Sequence, residues 1–326
     1  MSHKSKRKLV VSLTGGLGNQ LFQYAVGLFL GDSQDFLFTS QFGKPRKTHY
    51  GMSDIYAFEN TQATEINLPA LNLNFLWLTR KSVGYLLRSA FAPKFFERLP
   101  GFRSAIIFAT SVLTSIAMRE SRLTWAPCSV GFDPRVSKRL SRRLIIGYFQ
   151  TYRYASKSDV FTKLMSLEAP DANNWFLHLQ DRALTEKPIV LHVRLTDYRN
   201  EGFGIPAKSY YLDAINILRR TGILGSIWIF SDEPDSLIDF LPEEILKVSE
   251  VMLEPPGTQP ALVLQAMRLG AGYVIANSTF SWWGAFLRYD QDAPVCYPDP
   301  WFQSGPEIPD LCPPTWHRIS AQVPNI

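Results

Sequence analysis

The chain has 326 residues, 46% hydrophobic and 19% charged, a make-up that excludes wholesale disorder and allows a substantial core in two domains. Its 34 Lys and Arg against 29 Asp and Glu leave a net charge of +5, too mild to mark a nucleic-acid binder, which needs a dense basic stripe. Cys128, Cys296 and Cys312 form no CxxC pair and leave one thiol over. Neither a disulfide framework nor a zinc site is therefore expected, and a reducing compartment is the simpler reading.

The first 16 residues, "MSHKSKRKLVVSLTGG", begin with a basic leader. The apolar run after it is only "LVVSL" before Gly15, Gly16, Asn19, Gln20 and Gln23 interrupt it, which argues against a cleaved signal. "KLVVSL" at 8–13 predicts a strand. Residues 19–31 predict a helix whose buried stripe is Leu21, Phe22, Ala25, Val26, Phe29 and Leu30. Segment 69–122 holds eight Lys and Arg against Glu97 and Glu120, among Phe75, Trp77, Tyr85, Phe91, Phe95, Phe96 and Phe102. Peripheral contact with an anionic membrane and an ordinary solvated face both fit that composition. The longest uncharged stretch within it, 104–118, has 15 residues and is too short to span a bilayer.

"RRLIIGYFQ" at 142–150 reads as a strand, and a helix is expected between Pro170 and Pro188. Strands follow at 188–195, 226–232 and 272–277, separated by helices at 209–222 and 258–270. The second helix has Thr258 as its expected cap, Pro260 in its first turn and Gly270 as its stop. Strands alternating with helices predict parallel, doubly wound α/β sheets. The pattern is clean after 188 and interrupted before 165, so two α/β domains are expected, 1–165 and 188–326, with 166–187 as a connecting helix. The C-terminal stretch is Pro-rich yet carries Trp301, Phe302 and Trp316, which predict a tail strapped onto the body.

Three stretches carry candidate chemistry. "TGGLGNQ" at 14–20 stands where the first strand turns into the first helix. Its glycines allow close approach to the backbone, and amides at a helix start favour an anion. Leu21 occupies the place of the third glycine of a dinucleotide fingerprint, and no Walker sequence is present. A tight turn and an anion cradle are both open at this point. "ANSTFSWWGAF" at 276–286 repeats the arrangement with Asn277, Ser278, Thr279 and Ser281, and packing is expected for at least one of Trp282 and Trp283. "HVRLTDY" at 192–198 puts Arg194 near the carboxyl edge of a strand, where open α/β sheets bind ligands. A guanidinium there suits a diphosphate. His192 shares its strand face, as a donor contact or a satisfied core histidine. Asp197 is expected to orient Arg194 more than to act as a base. Asp290-Gln291-Asp292 spells DxD but reads as a solvated turn, and the five histidines are scattered, so no metal ligands are assigned.

Taken in order, these motifs resemble the α-1,2-fucosyltransferases of glycosyltransferase family 11, especially bacterial members that build surface polysaccharide. The resemblance rests on "GGLGNQLFQYA" at 15–25, "GYFQ" and the Tyr-rich stretch at 147–154, "HVRLTDY", "FSDEP" at 230–234, "NSTFSWWGA" at 277–285 and a closing Pro and Trp pattern through Trp316. It implies a GT-B-like architecture of two Rossmann-like domains facing a cleft, the first on the acceptor side and the second binding a GDP-sugar. It implies inverting transfer of L-fucose from GDP-fucose to the 2-hydroxyl of a galactose-type residue on an oligosaccharide, in O-antigen or other surface-polysaccharide synthesis.

Arg194 corresponds to the family's diphosphate-binding arginine. The implied donor set is Gly16, Gly18, Asn19, Gln20, His192, Arg194, Ser231, Asp232, Asn277, Ser278, Thr279 and Ser281. Asp197 and Glu201 are the nearest carboxylates for the acceptor proton. Many relatives carry a second arginine where this chain has Leu195, which loads phosphate neutralisation onto Arg194 and the two helix starts. No metal or other cofactor is expected, since those groups can stabilise the leaving diphosphate. The expected partners are GDP-fucose and a galactose-containing acceptor, free or lipid-linked, without nucleic acid, at a cytoplasmic location or on the inner membrane face. Another nucleotide sugar is the first alternative. A non-catalytic glycan- or nucleotide-binding protein, favoured by Leu195, is the second.

Overall fold

Two all-parallel sheets organise the chain in the computed structural model, which describes residues 9–30, 36–39, 55, 58, 81, 105, 108–109, 112, 125–134, 136, 144–169, 172–196, 198–199, 203–303 and 307–321. Each sheet belongs to its own compact unit. Unit 1 comprises Met1–Tyr56, Asn60–Leu167 and Ile308–Leu311; unit 2 comprises Ala57–Glu59, Glu168–Glu307 and Cys312–Ile326. This is the α/β class expected from the alternating pattern, with a parallel sheet in each unit.

In unit 1, strands β1 (Leu9–Ser12), β2 (Phe36–Thr39), β3 (Trp125–Ser129) and β4 (Leu144–Gly147) lie in the order β2-β1-β4-β3. Helix α1 (Leu17–Leu30) follows β1 directly. Its expected stripe is buried from Leu21 through Val26, and Phe29 and Leu30 are half-buried. Val26 packs with Val136, Ile145, Phe149 and Tyr154, the last from the short helix α2 (Tyr152–Ala155). The Tyr154 hydroxyl both donates to the Asp133 carbonyl and accepts from its amide, each at 3.1 Å. A buried phenol is tolerated because its polar end is paired. Helix α3 (Ser158–Met165) closes the unit on the same side, packing on α1 and α2.

Unit 2 carries β5 (Ile189–Val193), β6 (Ile227–Ser231), β7 (Ser249–Val251), β8 (Gly272–Val274), β9 (Val295–Asp299) and β10 (His317–Ser320), in the order β10-β9-β8-β5-β6-β7. Read by chain position, that order runs outward from β5 in one direction and from β8 in the other. The reversal falls between β5 and β8, and ligands of open α/β sheets sit beyond the carboxyl ends at such a point. β5 is buried along its whole length and apolar apart from His192, as a strand covered on both faces requires. Ile189, Leu191 and Val193 join Tyr210, Ala214 and Leu218 of helix α5 (Lys208–Arg220) in the main core. Fully burying each such aliphatic side chain contributes roughly 1.5–3 kcal/mol. Gly225 shows how closely the chain is threaded here: a Cβ at this position would stand 1.9 Å from the Lys187 carbonyl oxygen.

The helix expected between the two halves is α4 (Asn174–Glu186), capped by Asn173, whose side chain accepts from the Phe176 amide at 3.0 Å. It packs on helix α6 (Pro260–Met267) and falls within unit 2. Two expected end signals differ in detail. The α6 cap residue is Gln259, because the Thr258 hydroxyl donates instead to the Pro255 carbonyl at 2.7 Å. The helix ends at Met267, and Gly270 lies beyond it, where a Cβ would meet Tyr273 and Val190 at 2.9 Å. The C-terminal stretch is bound to the body: β10 joins the sheet, and Trp316 packs on Trp282 of helix α7 (Thr279–Phe286) at 5.6 Å between ring centroids. Cys296 and Cys312 are buried free thiols. The membrane reading of 69–122 falls almost entirely outside the described residues. Among those described, no helix is long and apolar enough to cross a membrane.

Candidate active site

Each sheet turns into a helix at a chemically distinctive corner. In unit 1, β1 ends at Ser12 and the chain passes through Gly15, whose φ of +81° suits glycine, into α1. The Gly16 carbonyl accepts from the amides of Asn19 at 2.9 Å and Gln20 at 3.1 Å, which starts the helix. Gln20 is fully buried: its Nε2 donates to the Gly15 carbonyl at 3.0 Å, and its Oε1 accepts from the Ile55 amide at 3.2 Å. Gln23 ties the same turn to β4, accepting from the Thr14 amide at 2.9 Å and donating to the Gly147 carbonyl at 3.0 Å. The Gln20 side chain thus holds the fold; at the same turn Gly16 and Asn19 are half-buried and Gly18 is buried.

In unit 2 the corner after β5 is charged. Val193 and Leu195 point into the core, and His192 and Arg194 alternate with them. The Arg194 Nη1 meets the Asp232 Oδ2 at 3.1 Å, with both side chains largely buried. Asp232 also accepts from the Leu195 amide at 2.9 Å, from the Thr196 amide at 3.2 Å and from the Thr196 hydroxyl. One carboxylate therefore closes the turn and orients the guanidinium. Burial alone would raise its pKa, but the Arg194 charge, the Thr196 and Leu195 donors and His192 together hold it below the ordinary value. Burial pushes His192 down to about 4; Asp232 opposes that shift and Arg194 adds to it. The imidazole is neutral at pH 7, and its buried Nδ1 has no hydrogen-bond partner.

The neighbouring corner follows β8. Asn277 is 3% exposed; its Nδ2 donates to the carbonyls of Phe203 at 3.2 Å and Gly204 at 2.9 Å, and its Oδ1 is buried without a partner. Its own carbonyl accepts from the Tyr198 hydroxyl at 2.9 Å. Tyr198, Phe203 and Phe302 form a row of rings with centroids 5.2 and 5.3 Å apart. Tyr198 and Phe203 are thereby both fastened to this corner. Ser278 caps α7, accepting from the Phe280 amide at 3.3 Å. Thr279 and Phe280 stand half-buried at the open helix start, and the Phe280 ring lies 6.3 Å from that of His192. Amides at this end favour an anion.

Other expected site residues have local duties. The buried Ser281 hydroxyl donates to the carbonyls of Ala276 at 3.3 Å and Ser278 at 3.1 Å. Ser231 accepts from the Glu233 amide at 3.1 Å. Trp282 and Trp283 are both fully buried core residues. Asp232 makes the kind of orienting contact expected of Asp197; Asp197 and Glu201 themselves lie outside the described residues. Leu195, where many relatives of the resembled family carry arginine, is fully buried among aliphatic side chains. Asp290–Asp292 is an exposed turn in which Asp290 accepts from the Asp292 amide at 3.0 Å. Among the described residues no three His, Cys, Asp or Glu are grouped to hold a metal ion. Sequence reasoning did not single out Thr196, Tyr198, Phe203 and Gln150 as individual residues, although the first two sit inside "HVRLTDY" and the last ends "GYFQ".

No protein-family model matches the chain. It is 25% identical over 333 residues to the alpha-1,2-colitosyltransferase of Escherichia coli, a match covering 95% of this chain and 98% of that protein. Among solved structures it is similar to the fucosyltransferase NodZ from Bradyrhizobium, at 10% identity over 87% of this chain and 97% of that one, with a TM-score of 0.46. POFUT1 in complex with GDP-fucose matches at 12% identity over 90% of this chain and 99% of that one, TM-score 0.42. The E. coli ADP-heptose heptosyltransferase II matches at 11% identity over 96% and 89%, TM-score 0.44. The end-to-end likeness to the colitosyltransferase, in a chain of two parallel α/β units, supports a glycosyltransferase.

Proposed function

We propose that the protein is an inverting α-1,2-glycosyltransferase that moves L-fucose from GDP-fucose to the 2-hydroxyl of a galactose-type residue on an oligosaccharide. The observation that carries this reading is Arg194, held by Asp232 at the point where the strand order of unit 2 reverses. When the glycosidic bond breaks, the sugar becomes oxocarbenium-like and negative charge gathers on the departing diphosphate. A guanidinium already held in place meets that charge without reorganising, and the open amides of α7 add to it. His192, neutral at pH 7, brings hydrogen-bonding capacity without a second positive charge. With leaving-group charge met this way, no divalent ion is needed for transfer. Asp197 and Glu201 are the carboxylates assigned to the acceptor proton.

The likeness to a colitosyltransferase favours a second donor. Colitose is L-fucose without its 3-hydroxyl, so the two readings differ at one position of the sugar. A pocket built to hydrogen-bond that hydroxyl would reject the deoxy sugar by about 10⁴-fold, whereas an apolar pocket would discriminate only weakly. The test is transfer from GDP-fucose and GDP-colitose to a panel of galactosides, with product linkage read by NMR. Multiple turnover with an α-1,2 product is expected. Turnover of some other nucleotide sugar, with neither of these consumed, would overturn the donor assignment. Binding without turnover would leave a glycan- or nucleotide-binding protein. The basic, aromatic segment 69–122 is assigned to the membrane face that presents a lipid-linked acceptor. Flotation with anionic liposomes at low salt checks that assignment, and no association ends it.

A further inference from the structure

We infer that Gln150 is a positioning residue for Asn19: it holds the Asn19 carboxamide with the oxygen turned inward, so that position 19 offers a bound molecule an N–H donor. The Gln150 Nε2 donates to the Asn19 Oδ1 at 2.9 Å, linking the end of β4 to the start of α1 across 131 residues of sequence. Gln150 is 4% exposed and Asn19 is half-buried, so the first belongs to the interior and the second to the rim of the turn.

The backbone is bent to make this contact. Phe149 adopts a φ of +55°, a left-handed conformation that a bulky residue keeps only where its surroundings impose it. Its ring is buried under Gly147, where a Cβ would stand 2.6 Å from the ring. On the far side of Gln150, the Asp310 carbonyl accepts from the Thr151 hydroxyl at 2.6 Å and the Tyr152 amide at 3.2 Å, and its carboxylate pairs with Arg153 at 3.0 Å. Gln150 is thus clamped from both directions.

The polarity of the contact follows from what each arrangement leaves buried. As built, the one unpartnered atom of Gln150 is its Oε1. Turning both carboxamides over would bury an unpartnered NH₂ instead, and orphaned donors are tolerated less well than under-used carbonyl oxygens. The Asn19 Nδ2 then lies beside Gly15, where a Cβ would approach it to 2.5 Å, next to Gly16, where a Cβ would meet nothing within 4 Å. Asn19 itself is only half-buried, at the rim of the turn. A hydroxyl or phosphate oxygen is the complementary group, and a sugar nucleotide carries both. That last step rests on the transferase reading above.

Two measurements decide it separately. In protein labelled with ¹⁵N-asparagine, the Asn19 side-chain NH₂ pair is identified by its loss in Asn19→Ser. Gln150→Leu should shift or broaden that pair, and an unchanged pair overturns the contact. In transfer assays, Asn19→Asp keeps an oxygen for Gln150 but replaces the outward donor with an acceptor. It should cost about tenfold or more in kcat/KM with an unaltered melting curve, the order set by one hydrogen bond. Activity near wild type in Asn19→Asp overturns the donor role even if Gln150→Leu fails to fold. If the wild-type protein turns over no nucleotide sugar, the transferase reading fails while the NMR arm still decides the role of Gln150.

Discussion

The two units place a glycine- or charge-bearing corner at the carboxyl edge of a parallel sheet, and they build it from opposite materials. The corner of unit 1 is held by neutral carboxamides, Gln20, Gln23, Asn19 and Gln150, each bonded to backbone or to one another. The corner of unit 2 is held by charge: Asp232 grips Arg194 and two backbone amides beside a buried neutral imidazole. A carboxamide network fixes shape and is indifferent to pH. An ion pair at the second corner supplies field, and it makes that unit sensitive to protonation. On the proposed transferase reading, that difference favours unit 2 as the place of the leaving diphosphate.

The largest break comes from removing the field. Arg194→Ala should lower kcat/KM by about 30- to 5,000-fold, the range that follows from roughly 2–5 kcal/mol for a lost charge partner. Circular dichroism and the melting curve should stay near wild type. Arg194→Lys should recover only part of the loss, since an ammonium lacks the planar fork. An alanine variant retaining more than about a third of wild-type kcat/KM would remove the diphosphate role from this residue.

A smaller effect is expected when the field is kept and its orientation is loosened. In Asp232→Asn one oxygen can still accept from the Leu195 or Thr196 amide, but the charge facing Arg194 is gone. Steady-state kinetics should show a loss of about ten- to a hundredfold, the order of one or two charge-assisted hydrogen bonds. A variant as fast as wild type would mean that Arg194 needs no such hold.

Protonation sharpens the comparison further. The folded pKa of His192, about 4, lies below its ordinary 6.5, so between those values the unfolded chain binds a proton that the folded one excludes. Stability should therefore fall as pH is lowered from about 6.5 to about 4. The lowered Asp232 pKa acts in the same direction at lower pH still, its contribution being lost as pH falls through the folded value. Melting temperatures of wild type and His192→Gln across this window check the sign: the variant should show the shallower slope. Equal slopes would mean that His192 is not a neutral buried group. The smallest expected effect is none at all, for transfer in excess EDTA. A tenfold loss restored by magnesium or manganese would give part of the charge role to a metal, with the exposed Asp290–Asp292 turn as the first place to look.

What the sequence discloses about this molecule depends on how local each feature is. β1, β5 and β6 are apolar runs ending in turns, and the stripe of α1 has helical spacing, so each is legible within its own segment. β7 is three residues, Ser249–Val251, with Glu250 exposed, and nothing in so short a run separates it from a loop. β9 contains Pro298, which speaks against an interior strand, yet it pairs on both sides. Proximity in sequence points to Asp197 as the partner of Arg194. The observed ion pair spans β5 and β6, and the register that sets Val193 opposite Ser231 brings Asp232 to it. No one-dimensional pattern carries that register. Leu195 reads in sequence as a missing charge. In the fold it is the core-facing alternate of Arg194, where an arginine would meet aliphatic side chains. Gln150 reads only as the end of a strand, because its partner lies 131 residues away.

The assignment of the diphosphate to the charged corner is tested most directly by titrating GDP and GMP into wild-type and Arg194→Ala protein in the presence of EDTA. The two ligands differ only by the β-phosphate, so the ratio of their dissociation constants isolates what the protein does with that group. In the wild type GDP should bind tighter than GMP by about tenfold or more, and in Arg194→Ala the ratio should fall close to one. A ratio that survives the loss of Arg194 would contradict the assignment and place the recognition of the β-phosphate elsewhere.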